Sequence, residues 1–379
     1  MNIVIAIDSF KGSLTSYEAG NAVKKSAEKV FPDSVINVCP IADGGEGTAN
    51  AIISAVNGTL LKTAVHDPLN RPITAEYGII PQSNTAVIEM ASASGLTLIS
   101  ENERNPLYTT TYGAGEMIAD AIEKDCRNFI IGIGGSATND GGVGMLCALG
   151  FEFLDKDGKP IPFGAIGLKE LAEIRTDKAL PELKECRFSV ACDVKNPLCG
   201  ENGCSAIFAP QKGADPQSIE LMDSLLLNYA KLTRIINPQA DENAPGCGAA
   251  GGMGFALLSY LGATLCPGTE LVINATGLED MISKADLIIT GEGRLDKQTC
   301  MGKAPAGIAK LAKKYGKKVI AFSGCIGEGA NDCNEQGIDA FFPILRTPCN
   351  MEEATRKEIA EQNLTDTAEQ VFRLIKTYV

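Results

Sequence analysis

Apolar runs and amphipathic stretches alternate along the chain. Ile3–Ile7 is a short apolar run that reads as a buried strand. After the loop DSFKGSLT, Thr15 and Glu18 form a capping box, which predicts a helix to about Val30, before Pro32. Val35–Cys39 predicts a second strand. Beyond the loop IADGGEGT, Thr48 opens a helix that Asn57-Gly58 ends. Strand, loop and helix in repetition is the signature of a parallel α/β sheet.

The rhythm then changes. Thr59–Val65, Ile73–Ile80 and Thr85–Met90 read as three strands joined by turns, a mixed or antiparallel section with a boundary near His66–Pro72. A helix over Gly113–Lys124 leads to a strand over Asn128–Ile133, the loop GGSATNDGG and a helix to Leu149. Phe151–Leu154 and Lys159–Ile161 flank Lys156-Asp157-Gly158, a hairpin signal. Arg187–Val194 predicts a strand and Asp215–Ile236 a long amphipathic helix. PGCGAAGGMG precedes a helix to Leu261. Helix Gly277–Lys284, strand Asp286–Thr290, a GEGRLD loop and helix Lys303–Tyr315 follow. Strands Lys318–Phe322 and Ala340–Ile344 come next, and Met351–Tyr378 is helical in two pieces. The pattern predicts one α/β domain from residues 1–66 and 286–379, with a second α/β domain, 67–285, inserted between them. The first is a doubly wound, largely parallel sheet of Rossmann or flavodoxin type; the second has a mixed sheet.

Composition narrows the chemistry. One histidine, His66, in 379 residues leaves no room for an HExxH zinc site or a multi-histidine centre. His66 precedes Asp67-Pro68, a turn, and reads as a solvated or turn-bonding side chain. The net charge of −13 argues against affinity for nucleic acid or anionic membranes. No apolar run reaches the roughly 18 residues of a membrane span, and MNIVIAIDSF lacks a basic leader. The 13 cysteines include no C-x-x-C pair and read as reduced thiols in a cytoplasmic protein.

Glycine is abundant, 40 residues, and much of it sits with acids in loops after predicted strands. In parallel sheets ligands bind at those strand ends. Gly134, Gly135, Ser136, Thr138 and Asp140 lie in a loop that opens a helix, where backbone amides and hydroxyls suit phosphate. Asp140 there implies either a bridging Mg²⁺ or a helix cap. Lys11 and Arg294 are the cations best placed to clamp a phosphate or a carboxylate. Asp8, Asp43, Asp193, Glu292 and Asp296 are candidates for base or Mg²⁺ ligand. GCGAAG (Gly246–Gly251) matches G-x-G-x-x-G but follows a loop rather than a strand. It therefore fails as a dinucleotide fingerprint and reads equally as an anion loop or as tight helix packing. There is no P-loop and no protein-kinase motif set.

Read together, DSFKGSLT (Asp8–Thr15), PIADGGEGT (Pro40–Thr48), IGGSATNDGGVGMLCALG (Ile133–Gly150), ACDVKNPLCG (Ala191–Gly200), APQKGA (Ala209–Ala214), PGCGAAGGMG (Pro245–Gly254) and DLIITGEGRLDKQT (Asp286–Thr299) resemble the bacterial glycerate kinase family over nearly the whole chain. The resemblance implies two α/β domains with the site in the cleft between them, and ATP- and Mg²⁺-dependent phosphorylation of D-glycerate to 2-phosphoglycerate. On that expectation ATP phosphates lie against Gly134–Gly142 and Asp193, with Glu292, holds Mg²⁺. Asp8, Ser9, Lys11 and Arg294 meet the substrate, and Asp43 or Asp296 accepts the hydroxyl proton. The alternatives are a different phosphotransferase or phosphatase, a sugar-acid or nucleotide sensor that binds without turnover, and a kinase forming 3-phosphoglycerate.

Overall fold

A computed structural model describes residues 1–42, 44–45, 47–300 and 303–378. The chain forms two compact units. The first comprises the stretch up to residue 43, Asn50–Asn57 and the stretch from Val272 on; the second comprises Gly44–Ala49 and Gly58–Leu271.

The first unit is a five-stranded parallel sheet in the order β13-β12-β11-β1-β2. Its strands are β1 (Asn2–Ile7), β2 (Val35–Val38), β11 (Leu287–Leu295), β12 (Lys318–Ile326) and β13 (Ala340–Pro343). Every residue from Ile3 to Ile7 is buried, because helices cover both faces of a parallel sheet. Ile3, Ile5 and Ile7 share one core with Phe322, Leu364 and Phe372. The capping box forms as the sequence predicts: the Glu18 amide donates to Thr15 Oγ1 and the Thr15 amide to Glu18. The helix it starts, Ser16–Val30, packs on the C-terminal helix Lys357–Lys376, with Lys29 on Glu369 at 2.8 Å.

The second unit holds a six-stranded mixed sheet in the order β10-β9-β6-β5-β4-β3. Its strands are β3 (Thr59–His66), β4 (Pro72–Ile80), β5 (Thr85–Glu89), β6 (Asn128–Gly132), β9 (Arg187–Ala191) and β10 (Thr264–Cys266). Strands β5, β6, β9 and β10 are parallel; β4 and β3 add antiparallel pairs. Strand β3 is paired along its length with β4, so the chain from Gly58 on is committed to this unit. The core includes Tyr77, Phe129, Phe153, Tyr229 and Phe255; Tyr229, on helix Pro216–Ile236 with Asp215 as its N-cap, packs on Phe153 and Phe255. Among the described residues no helix is long and apolar enough to cross a membrane.

One local expectation forms in reduced shape and another differs. The predicted hairpin closes around the 156–158 turn: the Asp155 amide donates to the Lys159 carbonyl at 2.8 Å, the Ile161 amide to the Phe153 carbonyl at 3.0 Å, and a single bridge joins Leu154 to Pro160. Lys159–Ile161 does not extend into a strand, and β7 (Glu152–Leu154) pairs also with β8 (Glu173–Arg175). The predicted GEGRLD loop is largely strand: β11 continues through Leu295, with Glu292 opposite Ser323 and Arg294 opposite Cys325. The sheet tolerates this glycine-rich text because the glycines let neighbouring backbones close up. A Cβ on Gly324 would lie 2.4 Å from the Gly293 carbonyl oxygen.

Candidate functional site

In the second unit, chemistry gathers at the carboxyl ends of β5, β6 and β9. Glu89 ends β5 and accepts the amides of Gly47 at 3.2 Å and Ala49 at 2.7 Å, which anchors the start of helix Thr48–Val56. Gly44 lies directly over the end of β6, where a Cβ on Gly132 would come within 2.7 Å of its carbonyl oxygen. Asp193, just past β9, is exposed and accepts the Gly268 amide at 3.1 Å.

The Gly134–Gly142 loop has an exposed front and a buried back. Gly134 and Gly135 face solvent, Ser136 is largely covered, and Thr138, Asn139 and Asp140 are buried. The Gly135 carbonyl accepts the Leu96 amide and the Ala137 amide reaches the Ser94 carbonyl, both at 2.9 Å. Behind the loop stands Lys212, 2% exposed, with Nζ donating to Ser136 Oγ at 2.8 Å and to the Thr138 carbonyl at 2.7 Å. Burial pushes its ammonium down to about 8, against the opposing pull of Cys204 and Asp140. Thr138 Oγ1 and Asn139 Oδ1 are buried with no hydrogen-bond partner.

Asp140 closes the loop onto its helix, Val143–Ala148. Its carboxylate accepts the Thr111 amide (2.8 Å), the Thr111 hydroxyl (2.9 Å), the Gly142 amide (3.1 Å) and the Gly144 amide (3.2 Å). The chain's own carboxylate thus occupies the helix start that the sequence offers to phosphate. Burial raises the Asp140 pKa, and these donors oppose the rise. The GCGAAG stretch is the packing feature of its two readings. Ala250, Gly251 and Gly252 are left-handed, the Gly141 amide donates to the Gly251 carbonyl at 2.9 Å, and a Cβ on Gly251 would lie 2.1 Å from the Thr138 carbonyl oxygen.

In the first unit, a second group gathers at the carboxyl ends of β1 and β11. Asp8 is buried; its amide donates to the Gly291 carbonyl at 2.9 Å and its carboxylate accepts the Ser9 amide at 2.6 Å. Lys11 is exposed on the tight turn from Phe10 to Leu14, beside Gly293. Arg294 Nε lies 3.3 Å from Asp296 Oδ2 with its guanidinium largely in solvent. Asp296 also accepts the Gln298 amide at 2.8 Å and so caps helix Lys297–Cys300. Glu292 is buried, accepts the Thr299 hydroxyl, and lies 3.8 Å from Lys303 Nζ. His66 pairs with Glu116 at 2.9 Å on β3, outside both groups.

The fold therefore gathers Asp8, Ser9, Lys11, Glu292, Arg294 and Asp296 in the first unit, and Gly134, Gly135, Ser136, Thr138, Asp140 and Asp193 in the second. Asp43 lies outside the described residues. Among the described residues no cluster of three or more histidine, cysteine or carboxylate groups is arranged to hold a metal by itself. Sequence reasoning missed Lys212 and Glu89. The available signals were a lysine inside the APQKGA motif and an acid closing the apolar run TAVIE.

Comparison with known proteins points to one family. The model of the glycerate kinase family matches residues 3–376. A glycerate kinase from Haemophilus influenzae is 44% identical over 99% of both chains. A glycerate 2-kinase from Escherichia coli is 46% identical over 94% of this chain and 93% of its own. A crystal structure from Salmonella typhimurium LT2, of a chain provisionally named glycerate kinase 2, superposes with a TM-score of 0.92 at 43% identity, covering all of this chain and 98% of that one. A match that spans the chain from the first strand to the last helix, at this identity, covers both units, and the chain belongs to the glycerate kinase family.

Proposed function

We propose that this enzyme transfers the terminal phosphoryl group of ATP to the 2-hydroxyl of D-glycerate, giving 2-phosphoglycerate. The name of the Escherichia coli relative supports the choice of hydroxyl. The observation that carries the reading is Lys212, a buried ammonium held on Ser136 Oγ and the Thr138 carbonyl of the loop whose first residues, Gly134-Gly135, are exposed. A cation is stable there only when an anion or several acceptors offset its desolvation. A phosphate resting on those glycines supplies the anion, and the missing Cβ atoms let it approach. The helix start is not part of this seat, because Asp140 fills it.

Phosphoryl transfer asks for positioning and charge neutralisation more than covalent chemistry. Lys212 holds Ser136 and Thr138 in place and contributes positive charge beneath the loop. The exposed Lys11 and the solvent-facing guanidinium of Arg294 suit the glycerate carboxylate or the transferred group. Asp296 is held by Arg294 and the Gln298 amide, so a role as proton acceptor falls to it only if that pairing loosens; Asp43 is the other candidate base. For Mg²⁺ the donor chemistry fits at Asp193: an exposed carboxylate that accepts the Gly268 amide matches an ion that takes one or two carboxylates and completes its shell with phosphate and water. Glu292, already on Thr299 and Lys303, is the weaker candidate. Bound there, Mg²⁺ would neutralise charge on the phosphates.

The test is a coupled ADP-release assay with D-glycerate, with ³¹P NMR of the product. ATP-dependent consumption giving 2-phosphoglycerate is expected. The 3-isomer would overturn the choice of hydroxyl, and tight binding without turnover would overturn the kinase reading.

A further inference from the structure

Thirteen cysteines are free, and among them one thiol–thiol contact stands out: Cys300 Sγ and Cys333 Sγ lie 3.0 Å apart. Both belong to the first unit. Cys300 ends helix Lys297–Cys300, and Cys333 lies on helix Asp332–Glu335. Cys333 is fully buried and Cys300 is partly exposed. Disulfide sulfurs stand about 2.05 Å apart, so closing this pair needs an approach of only about 1 Å.

We propose that Cys300 and Cys333 form a reversible disulfide by exchange with a low-molecular-weight disulfide, and that the bond clips the helix after the Glu292–Asp296 segment to the helix Asp332–Glu335. The more accessible Cys300 acts first. Its thiolate attacks one sulfur of the small disulfide, forming a mixed disulfide and releasing one small thiolate. Cys333 then loses its proton and attacks the Cys300 sulfur, and the second small thiolate leaves. Two protein thiols are oxidised to one disulfide and one small disulfide is reduced to two small thiols. The order follows from the surroundings: burial, then the neighbouring Cys300, pushes the Cys333 thiol up to about 12, which keeps it protonated until the mixed disulfide forms beside it.

The clip closes a loop of about thirty residues and stabilises the first unit mainly by restricting its unfolded chain. Because the sulfurs move little, Thr299 keeps its bond to Glu292 and turnover stays unchanged. The full-length protein is incubated with glutathione disulfide, then analysed by intact mass, non-reducing peptide mapping and thermal melting. A loss of two hydrogens, a crosslinked Cys300–Cys333 peptide pair and a Tm higher by several degrees, all reversed by dithiothreitol, are expected. Cys333→Ser should instead trap glutathione on Cys300, and Cys300→Ser should leave Cys333 unmodified. Two unmodified thiols after prolonged exposure, or crosslinks to other cysteines, would overturn the pairing. A crosslink that forms but abolishes turnover would overturn its role as a silent clip.

Discussion

Lys212 concentrates the residue-scale argument. Its folded pKa of about 8 lies below the 10.5 of an ordinary lysine, so between those values the unfolded chain binds a proton that the folded chain has released. Stability therefore rises with pH through that window, and the cost of burying the charge is present in full below it. The Lys212→Met variant lacks this dependence. Urea midpoints at pH 7.5 and 10 should show the wild type gaining on the variant as pH rises; a constant difference would place the pKa elsewhere. Bound phosphate reverses the preference, because an anion holds the proton on. The ATP affinity of the wild type is thus expected to fall as pH rises past about 8, and that of Lys212→Met to be flat and roughly ten- to a hundredfold weaker at neutral pH. Steady-state KM for ATP against pH measures both. Cys204 and Asp140, which pull on Lys212 in the free protein, favour the charged form in the same direction.

Caps and close approaches decide which elements form. The Thr15–Glu18 capping box was visible in the chain and is present, so Thr15→Ala should cost about 1 kcal/mol in urea unfolding. No comparable signal marked the extension of β11 through Gly291–Leu295. Glycine and arginine there read as loop, and only pairing with β12 makes them strand. Gly324→Ala tests that pairing: its methyl meets the Gly293 carbonyl, and a loss of about 1–3 kcal/mol is expected, with weaker amide-exchange protection along β11 and β12. An unchanged exchange pattern would show that the strands separate without cost. The predicted hairpin after Phe151 closes where its turn was legible, with the Asp155 amide on the Lys159 carbonyl and the Ile161 amide on the Phe153 carbonyl, but it stays one bridge long.

Among the described residues each unit has a large hydrophobic core of its own, the first around Phe322 and Phe372 and the second around Phe129 and Tyr229, and a smaller cluster around Met222 lies in the second. Phe372→Ala empties part of the first and should remove about 3–5 kcal/mol from that unit. Limited trypsinolysis on heating is expected to release peptides from 272–378 early while 58–271 keeps its protection; equal loss across both would show that they unfold together. At this scale the sequence determined a good deal by itself. The period of apolar residues marked most strands and the long helices, the change of rhythm at Thr59 marked the mixed sheet, and the glycine-rich strand ends carried the family. Those signals are local, written in neighbours a few residues apart. What the tertiary structure decided involves partners far apart in the chain. Lys212 reaches back 76 residues to Ser136, Thr111 supplies two of the donors that Asp140 needs, and Cys333 comes to rest against Cys300. A lysine, an aspartate or a cysteine looks alike in sequence whether it is solvated or buried. Only packing sets the surrounding dielectric and the partner, and those two set its chemistry.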